Sequence, residues 1–329
     1  MITRTTGFSR FAIAVLLLVL AAPVAADGWK PTKPVEWIVM GPEGGRVDRF
    51  ARALARAVAD HGQMPQPLVI TNQRRGFSAD PLLQLKNREG DPHLIVLTSA
   101  AYLTTPLRNP GLGIDIQSFT PIAGLAEDSL LLWVRHGRPE KSLGQLAAVQ
   151  FDTGADPLKV GIRNNDDEDW LAVKAMEKGI GLGISLVRYR SSRGAPKDLV
   201  RGFLDGAVAA PGESGGFWDT ERARPMANFS PLSPFDAAKG EVPPFVIAET
   251  NAASLALPRA IVAPGRITVE AQSYYEKLFE AVSLSEPWRQ YLADNRLVSG
   301  WAAGIDLTKK LVAGREAYRN LLKELGEIE

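Results

Sequence analysis

Val35-Glu-Trp-Ile-Val-Met40 runs into Gly41-Pro-Glu-Gly-Gly-Arg-Val-Asp48 and then into Arg49-Phe-Ala-Arg-Ala-Leu-Ala-Arg-Ala-Val-Ala59, and the three pieces read as one unit. The first is short and rich in β-branched and aromatic residues, which suits a strand. In the third, Phe50, Leu54, Ala57 and Val58 return at intervals that place them on one face of a helix. Between them lie glycines and a proline, the residues of a turn. Strand, glycine loop and amphipathic helix open an α/β layer.

Outward from this unit the rhythm continues. A strand is predicted over 68–71, a helix over 79–86 and a strand over 93–98, giving β-α-β-α-β and a largely parallel sheet. The pattern then repeats with strands over 130–134, 158–162, 185–189 and 206–210 and helices over 142–148, 169–178 and 196–204. Two similar α/β lobes fit this repetition. Residues 224–244 are proline-rich and weakly periodic, and read as a return crossing with irregular surface. The end of the chain reads as helices over 269–283, 286–295 and 307–325.

Arg4 and Arg10 precede an apolar stretch over 11–22, and Pro23-Val-Ala-Ala26 ends in small residues. This is the pattern of a secretory signal over 1–26, cleaved before Asp27. The stretch is shorter than the roughly 20 residues a membrane span needs. The 329-residue chain has no cysteine, so neither disulfides nor thiol chemistry enters, and without the two signal arginines its formal charge of +1 moves close to neutral. No basic stripe suits nucleic acid.

Open α/β sheets bind ligands beyond their strand ends, where several polar loops converge here. Gly44 and Gly45 offer amides at a helix start, suited to a phosphate or carboxylate, or serve only the turn. Asp48 is able to cap that helix, to accept a ligand hydroxyl, or both. The next loop, 72–80, carries Arg74, Arg75 and Gly76; Thr98 and Ser99 follow the third strand as short hydroxyl donors. In the second half, Asn164 and Asn165 offer donors and acceptors without charge, whereas the acidic run 166–169 favours a helix start electrostatically. Ser191, Ser192 and Gly194 form a further loop, and residues 210–216, with Glu213, close the cleft from the same side.

Catalysis finds little support. His61, His93 and His136 are scattered without metal-ligand spacing. Gly212-Glu-Ser-Gly-Gly216 matches G-x-S-x-G literally, but no clear helix follows it and no histidine lies downstream for a triad. No catalytic residue, metal or cofactor is expected.

With these pieces in hand, the chain resembles the Bug, or TctC-like, family of tripartite tricarboxylate transporter solute receptors. The resemblance rests on Lys33-Pro-Val-Glu-Trp-Ile-Val39 leading into 42–52, on Phe119-Thr-Pro-Ile-Ala-Gly-Leu-Ala-Glu127, and on the spacing of Glu168-Asp169, Tyr189, Gly194, Asp205 and 211–213. Val262-Ala-Pro-Gly265 and Pro287-Trp-Arg-Gln-Tyr-Leu292 are similar to its C-terminal landmarks. It implies a type II periplasmic binding protein, a Venus flytrap with a discontinuous first lobe: 27–130 plus 231–329, with 131–230 as the second lobe. It implies a monomeric periplasmic receptor that closes on a small organic anion, a carboxylate, and delivers it to small and large membrane permease subunits. Amides around Gly44, Gly45 and Gly76, with Thr98 and Ser99, are then expected to hold the carboxylate, and Asp48, Asn164 and Asn165, with Ser192 and Glu213, to read the rest. Two departures stand out. The second loop keeps only Gly76 among Arg74, Arg75 and Phe77, and the third loop is acidic where small residues are customary, so an aromatic, larger or partly cationic ligand also fits. A periplasmic sensing module shares the same fold, and an exported enzyme is the remaining alternative.

Overall fold

The computed structural model describes residues 28–73, 79–163, 168–191, 193–230, 242, 255 and 257–329. The predicted signal over 1–26, residues Arg74 to Phe77 with Gly76, the pair Asn164 and Asn165, and Ser192 lie outside the described residues.

The opening unit forms as read. Strand β1 (Val35–Val39) sends Trp37 and Val39 to one face and Ile38 to the other, all fully buried, as a central strand covered on both sides requires. On the first face helix α1 (Arg46–His61) packs Phe50, Leu54 and Val58 against Trp37 and the aromatic side of α8 (Val269–Ser283). Gly62, in the left-handed conformation, ends α1.

β1 pairs in parallel with β2 (Leu68–Asn72) and β3 (Leu94–Leu97). Beyond β3 the sheet turns antiparallel through β10 (Leu257–Ala263), β4 (Thr120–Asp128) and β11 (Val298–Ala302), in the order β11-β4-β10-β3-β1-β2. The second sheet, β7-β6-β8-β5-β9, is built from β5 (Leu131–Arg135), β6 (Leu158–Ile162), β7 (Ile184–Arg188), β8 (Gly206–Ala209) and β9 (Ala223–Asn228). Its core β7-β6-β8 is parallel, and β5 runs antiparallel to both neighbours. The expected largely parallel sheets are therefore mixed. The strands that enter each sheet after a crossing, β5 and β10, run against the βαβ direction.

The first sheet takes strands from both sides of the second in sequence, which makes the first lobe discontinuous. Three segments lie side by side at the crossing: the Phe229 N–H donates to the Leu130 carbonyl at 2.9 Å and the Leu255 N–H to the Phe229 carbonyl at 3.0 Å. β9 corrects the expectation of irregular chain over 224–244, since its residues Met226 and Ala227 are buried against β5 despite Pro225.

The remaining helices are α2 (Asp80–Asn87), α3 (Ala100–Arg108), α4 (Leu143–Thr153), α5 (Glu168–Ile180), α6 (Gly194–Val200), α7 (Pro211–Asp219), α9 (Glu286–Asp294) and α10 (Gly304–Leu325). α7 replaces the expected turn without a helix. Its Gly212, Gly215 and Gly216 each weaken a helix by about 1 kcal/mol relative to alanine, so local propensity hid it and tertiary contact supplies it. α10 packs on α3 and β4 of one lobe and on α5 of the other, so Tyr318, Leu321 and Leu322 share a core with Leu171 and Met176.

Gly265 closes the turn after β10 where a Cβ would sit 2.1 Å from the Ser118 carbonyl oxygen. Its own carbonyl accepts from the Gly90 N–H at 2.7 Å, so the backbone is fixed on both sides. Gly265→Ala is expected to lower stability by about 1–3 kcal/mol, read as a shifted urea midpoint at unchanged slope.

Candidate functional site

The glycine loop folds on itself before α1 begins. Gly44 takes φ +72°, open to glycine at little cost, and this aims its N–H at Asp48 Oδ2, 2.8 Å away. The Gly45 N–H donates to the Pro42 carbonyl at 3.0 Å, and a Cβ on Gly45 would meet that oxygen at 2.9 Å. Both glycine amides are therefore engaged inside the loop, which corrects the expectation that they stand open to an anion. Asp48 is buried and accepts also from Asn72 Nδ2 at 2.9 Å and Arg52 Nε at 3.0 Å. Burial works against its charge, but the bonds from Arg52, Gly44 and Asn72 prevail and hold its pKa below the ordinary aspartate range. It is a strut of the loop, its oxygens directed into the protein.

The structure also turns Thr98 inward. Its hydroxyl donates to the Pro258 carbonyl at 3.0 Å and accepts from the Ala260 N–H at 3.2 Å, tying the end of β3 to β10. Ser99 stands at the N-cap position of α3 without a side-chain capping bond.

The loop's product is Arg46, the first residue of α1. A cation at a helix N-terminus opposes the helix dipole, so its place must be stabilised from elsewhere. Three carboxylates of the other lobe do this: Nη2 lies 3.5 Å from Glu168 Oε2 and 3.7 Å from Asp169 Oδ1, and Nε lies 4.0 Å from Glu213 Oε1. All four side chains are nearly excluded from solvent, between 3 and 7 % exposed. Burial disfavours the guanidinium's charge, but Glu213, Asp128, Asp169 and Glu168 together hold its pKa well above the ordinary value.

The carboxylates sit where helices start. Glu168 and Asp169 open α5 and Glu213 is the third residue of α7, positions an acid favours. Glu213 Oε2 accepts from the Ala210 N–H at 3.3 Å, and Arg49 lies 3.7 Å from its other oxygen. Glu168 reaches across the cleft, where its Oε1 accepts from the Ala100 N–H at the start of α3, 3.4 Å away, and Arg163 flanks it at 3.6 Å. The starts of α1 and α3 from one lobe and of α5 and α7 from the other thus meet at one place.

Beside Arg46 lies a cavity of about 30 Å³, on the scale of one water molecule, lined among others by Asp128, Glu213, Arg259 and Tyr291. Arg259 and Asp128 form a buried pair at 2.7 Å. The four arginines 46, 49, 163 and 259 thus face four carboxylates, Asp128, Glu168, Asp169 and Glu213. Tyr318 Oη, fully buried, has no hydrogen-bond partner among the described residues; burial, and then the Glu168 charge, push its pKa well up.

The lobes also touch beside the site. A Cβ on Gly212 would come within 2.6 Å of the Asn295 carbonyl oxygen, and one on Gly215 within 2.2 Å of Arg296 Nε. Arg296 pairs with Asp219 of α7, and Arg108 of α3 lies over the Trp170 ring at 5.7 Å. Ser214, of the literal G-x-S-x-G, is buried within α7.

Among the described sequence-derived residues, Glu213 is the one brought into the central cluster, and Ser99 lies at the helix start that Glu168 meets. Sequence reasoning missed Arg46, Arg259 and Asp128 and read Glu168 and Asp169 only as helix-start acids. One signal for Arg46 was present: a cation inside a glycine loop at the first position of a helix.

No family model matches the chain. It is 28 % identical over 196 residues to Protein BugT of Bordetella pertussis, covering 58 % of this chain and 57 % of that one. A UPF0065 protein of the same organism is 26 % identical over 179 residues, 54 % of each chain. The chain thus matches just over half the length of these curated relatives. A TctC solute-binding protein from Polaromonas, solved without ligand, superposes with TM-score 0.67 at 21 % identity, over 89 % of this chain and 99 % of that one. An R. palustris protein solved with adipate gives 0.72 at 21 % identity, over 90 % and 98 %. MatC from Rhodopseudomonas palustris with bound malate gives 0.67 at 16 %, over 90 % and 99 %. The chain is thus similar in sequence to BugT over just over half its length, and it shares a two-lobed type II binding-protein fold with these structures.

Proposed function

We propose that this chain is a periplasmic solute receptor that closes its two lobes on a small organic anion, a carboxylate, and delivers it to small and large membrane permease subunits. The observation that carries the reading is the meeting of four helix starts from two lobes around the buried Arg46. Backbone N–H groups at helix starts favour an anion, and a cleft between lobes buries a small ligand on closure. The adipate and malate of the similar structures support the ligand class. The secretory pattern over 1–26 supports the location. In this reading the lobes are 27–130 with 231–329, and 131–230. Ser99 and Glu213 contribute to the cleft, and Gly76, Asn164, Asn165 and Ser192 are the further residues proposed to bind the ligand.

Native mass spectrometry of the chain from Asp27 tests this against mono-, di- and tricarboxylates, aromatic acids and amino acids. One carboxylate retained and released unchanged on denaturation is the expected result. Release of a chemically altered compound, or retention of none of the acids, overturns the reading.

A further inference from the structure

Glu168, like Asp169 and Glu213, faces Arg46 at more than hydrogen-bonding distance, and it alone of the three also meets the start of α3. Charge-assisted hydrogen bonds between guanidinium and carboxylate normally close to about 2.7–2.9 Å. Arg259 and Asp128, in the same cleft, reach 2.7 Å. Every contact of Glu168 across the cleft is longer: 3.4 Å from the Ala100 N–H and 3.5 Å from Arg46 Nη2. Among the described residues Arg46 Nε and Nη1 have no hydrogen-bond partner, although the residue is only 8 % exposed. The Tyr318 hydroxyl, whose environment includes the Glu168 charge, likewise has no partner among the described residues. A carboxylate tethered to α5 reaches these donors without satisfying them.

The donors themselves form an anion position. Ala100 is the first residue of a nine-residue helix whose opening N–H groups have no partners within the helix. Arg46 adds a charge and two spare N–H groups. From the first position of α5 a glutamate could equally turn to solvent, yet its side chain is 6 % exposed.

We propose that Glu168 is a built-in competitor for the ligand: its carboxylate occupies the anion position formed by the start of α3 and Arg46, and a ligand carboxylate binds by taking that position. The occupied position holds the lobes together without a ligand. It also lowers apparent affinity, because only the fraction of molecules with Glu168 displaced is competent to bind. A free carboxylate, able to settle at hydrogen-bonding distance, gains what the tethered one leaves unused. The ligand step rests on the receptor reading; the occupancy of the position does not.

The test is rescue by acetate. The cysteine-free chain allows labels at Asp60→Cys and Asp152→Cys, both exposed and on different lobes, and the interlobe distance is measured by pulsed dipolar spectroscopy. Glu168→Ala is expected to lengthen that distance and lower the thermal midpoint, and acetate is expected to reverse both saturably. Chloride at the same ionic strength should reverse neither. The wild type and Glu168→Gln, in which the position is filled, should not respond to acetate. Glu168→Ala with the wild-type distance, or a response to acetate no greater than to chloride, overturns the proposal. If Glu168→Ala does not fold, Glu168→Ser, which also vacates the position, decides: it opens relative to the wild type and closes again with acetate, or the proposal fails. Loss of carboxylate retention by the wild type with acetate rescue intact would overturn the ligand class alone; retention without rescue would overturn the competitor alone.

Discussion

Arg46→Met is expected to destabilise the closed protein by about 3–5 kcal/mol, the usual cost of leaving a buried ion cluster without its counter-charge. Methionine approximates the length of arginine but offers nothing to Glu168, Asp169 and Glu213, whose side chains are 3–6 % exposed. The molecule relieves the penalty by parting the lobes and rehydrating the acids, so the interlobe distance should lengthen as the thermal midpoint falls. The pH dependence gives a sharper signature. In the wild type, burial disfavours the Glu168 charge, but Arg46, Arg163 and Arg259 overcome it and hold its pKa below the ordinary glutamate range. Its stabilising contribution is complete above the unfolded pKa and is lost as pH falls through the depressed one. Without Arg46 the Glu168 carboxylate is desolvated with less compensation, so its pKa rises and acid stabilises the closed form. Wild type and variant should therefore show opposite slopes of stability against pH in the carboxylate range. Parallel slopes would show that Arg46 does not govern the cluster.

Asp128→Ala should be comparably costly, for a different reason. Asp128 ends β4 where the chain crosses to the second lobe, and its partner Arg259 is 2 % exposed and cannot shed its proton. A carboxylate stripped of its partner escapes by protonation, whereas an arginine keeps its charge, so the cost of about 3–5 kcal/mol falls wholly on stability. Replacing both residues, Asp128→Leu with Arg259→Met, should recover most of the loss, since apolar groups need no partner. A double-mutant cycle in urea reads the coupling. Additive losses in the cycle would show that the two side chains act independently.

The fold was readable where one element obeyed one period. Strand β1, helix α1, strand β6 and helix α8 emerged from alternation and helical spacing because their cores lie on a single face or in one short apolar run. What escaped was what depends on the other lobe. Helix α3 carries a nearly all-buried run from Ala100 to Pro106, without the polar face that marks a surface helix. Helix α7 is held by contacts with Asn295 and Arg296, far away in sequence, against the propensity of its glycines. The site divided in the same way. Loop positions followed from strand order, so Glu213 and the neighbourhood of Ser99 could be named. The direction of side chains did not: Asp48 and Thr98 are chemically apt for a ligand, but Asn72, Arg52, Pro258 and Ala260 engage them first.

Gly212 meets the Asn295 carbonyl as main chain against main chain. Side chains at a domain contact yield by changing rotamer, whereas two backbones in contact have no such freedom. The spacing of the lobes at this point is therefore written into the chain by a missing side chain: any residue other than glycine at position 212 would wedge α7 away from Asn295.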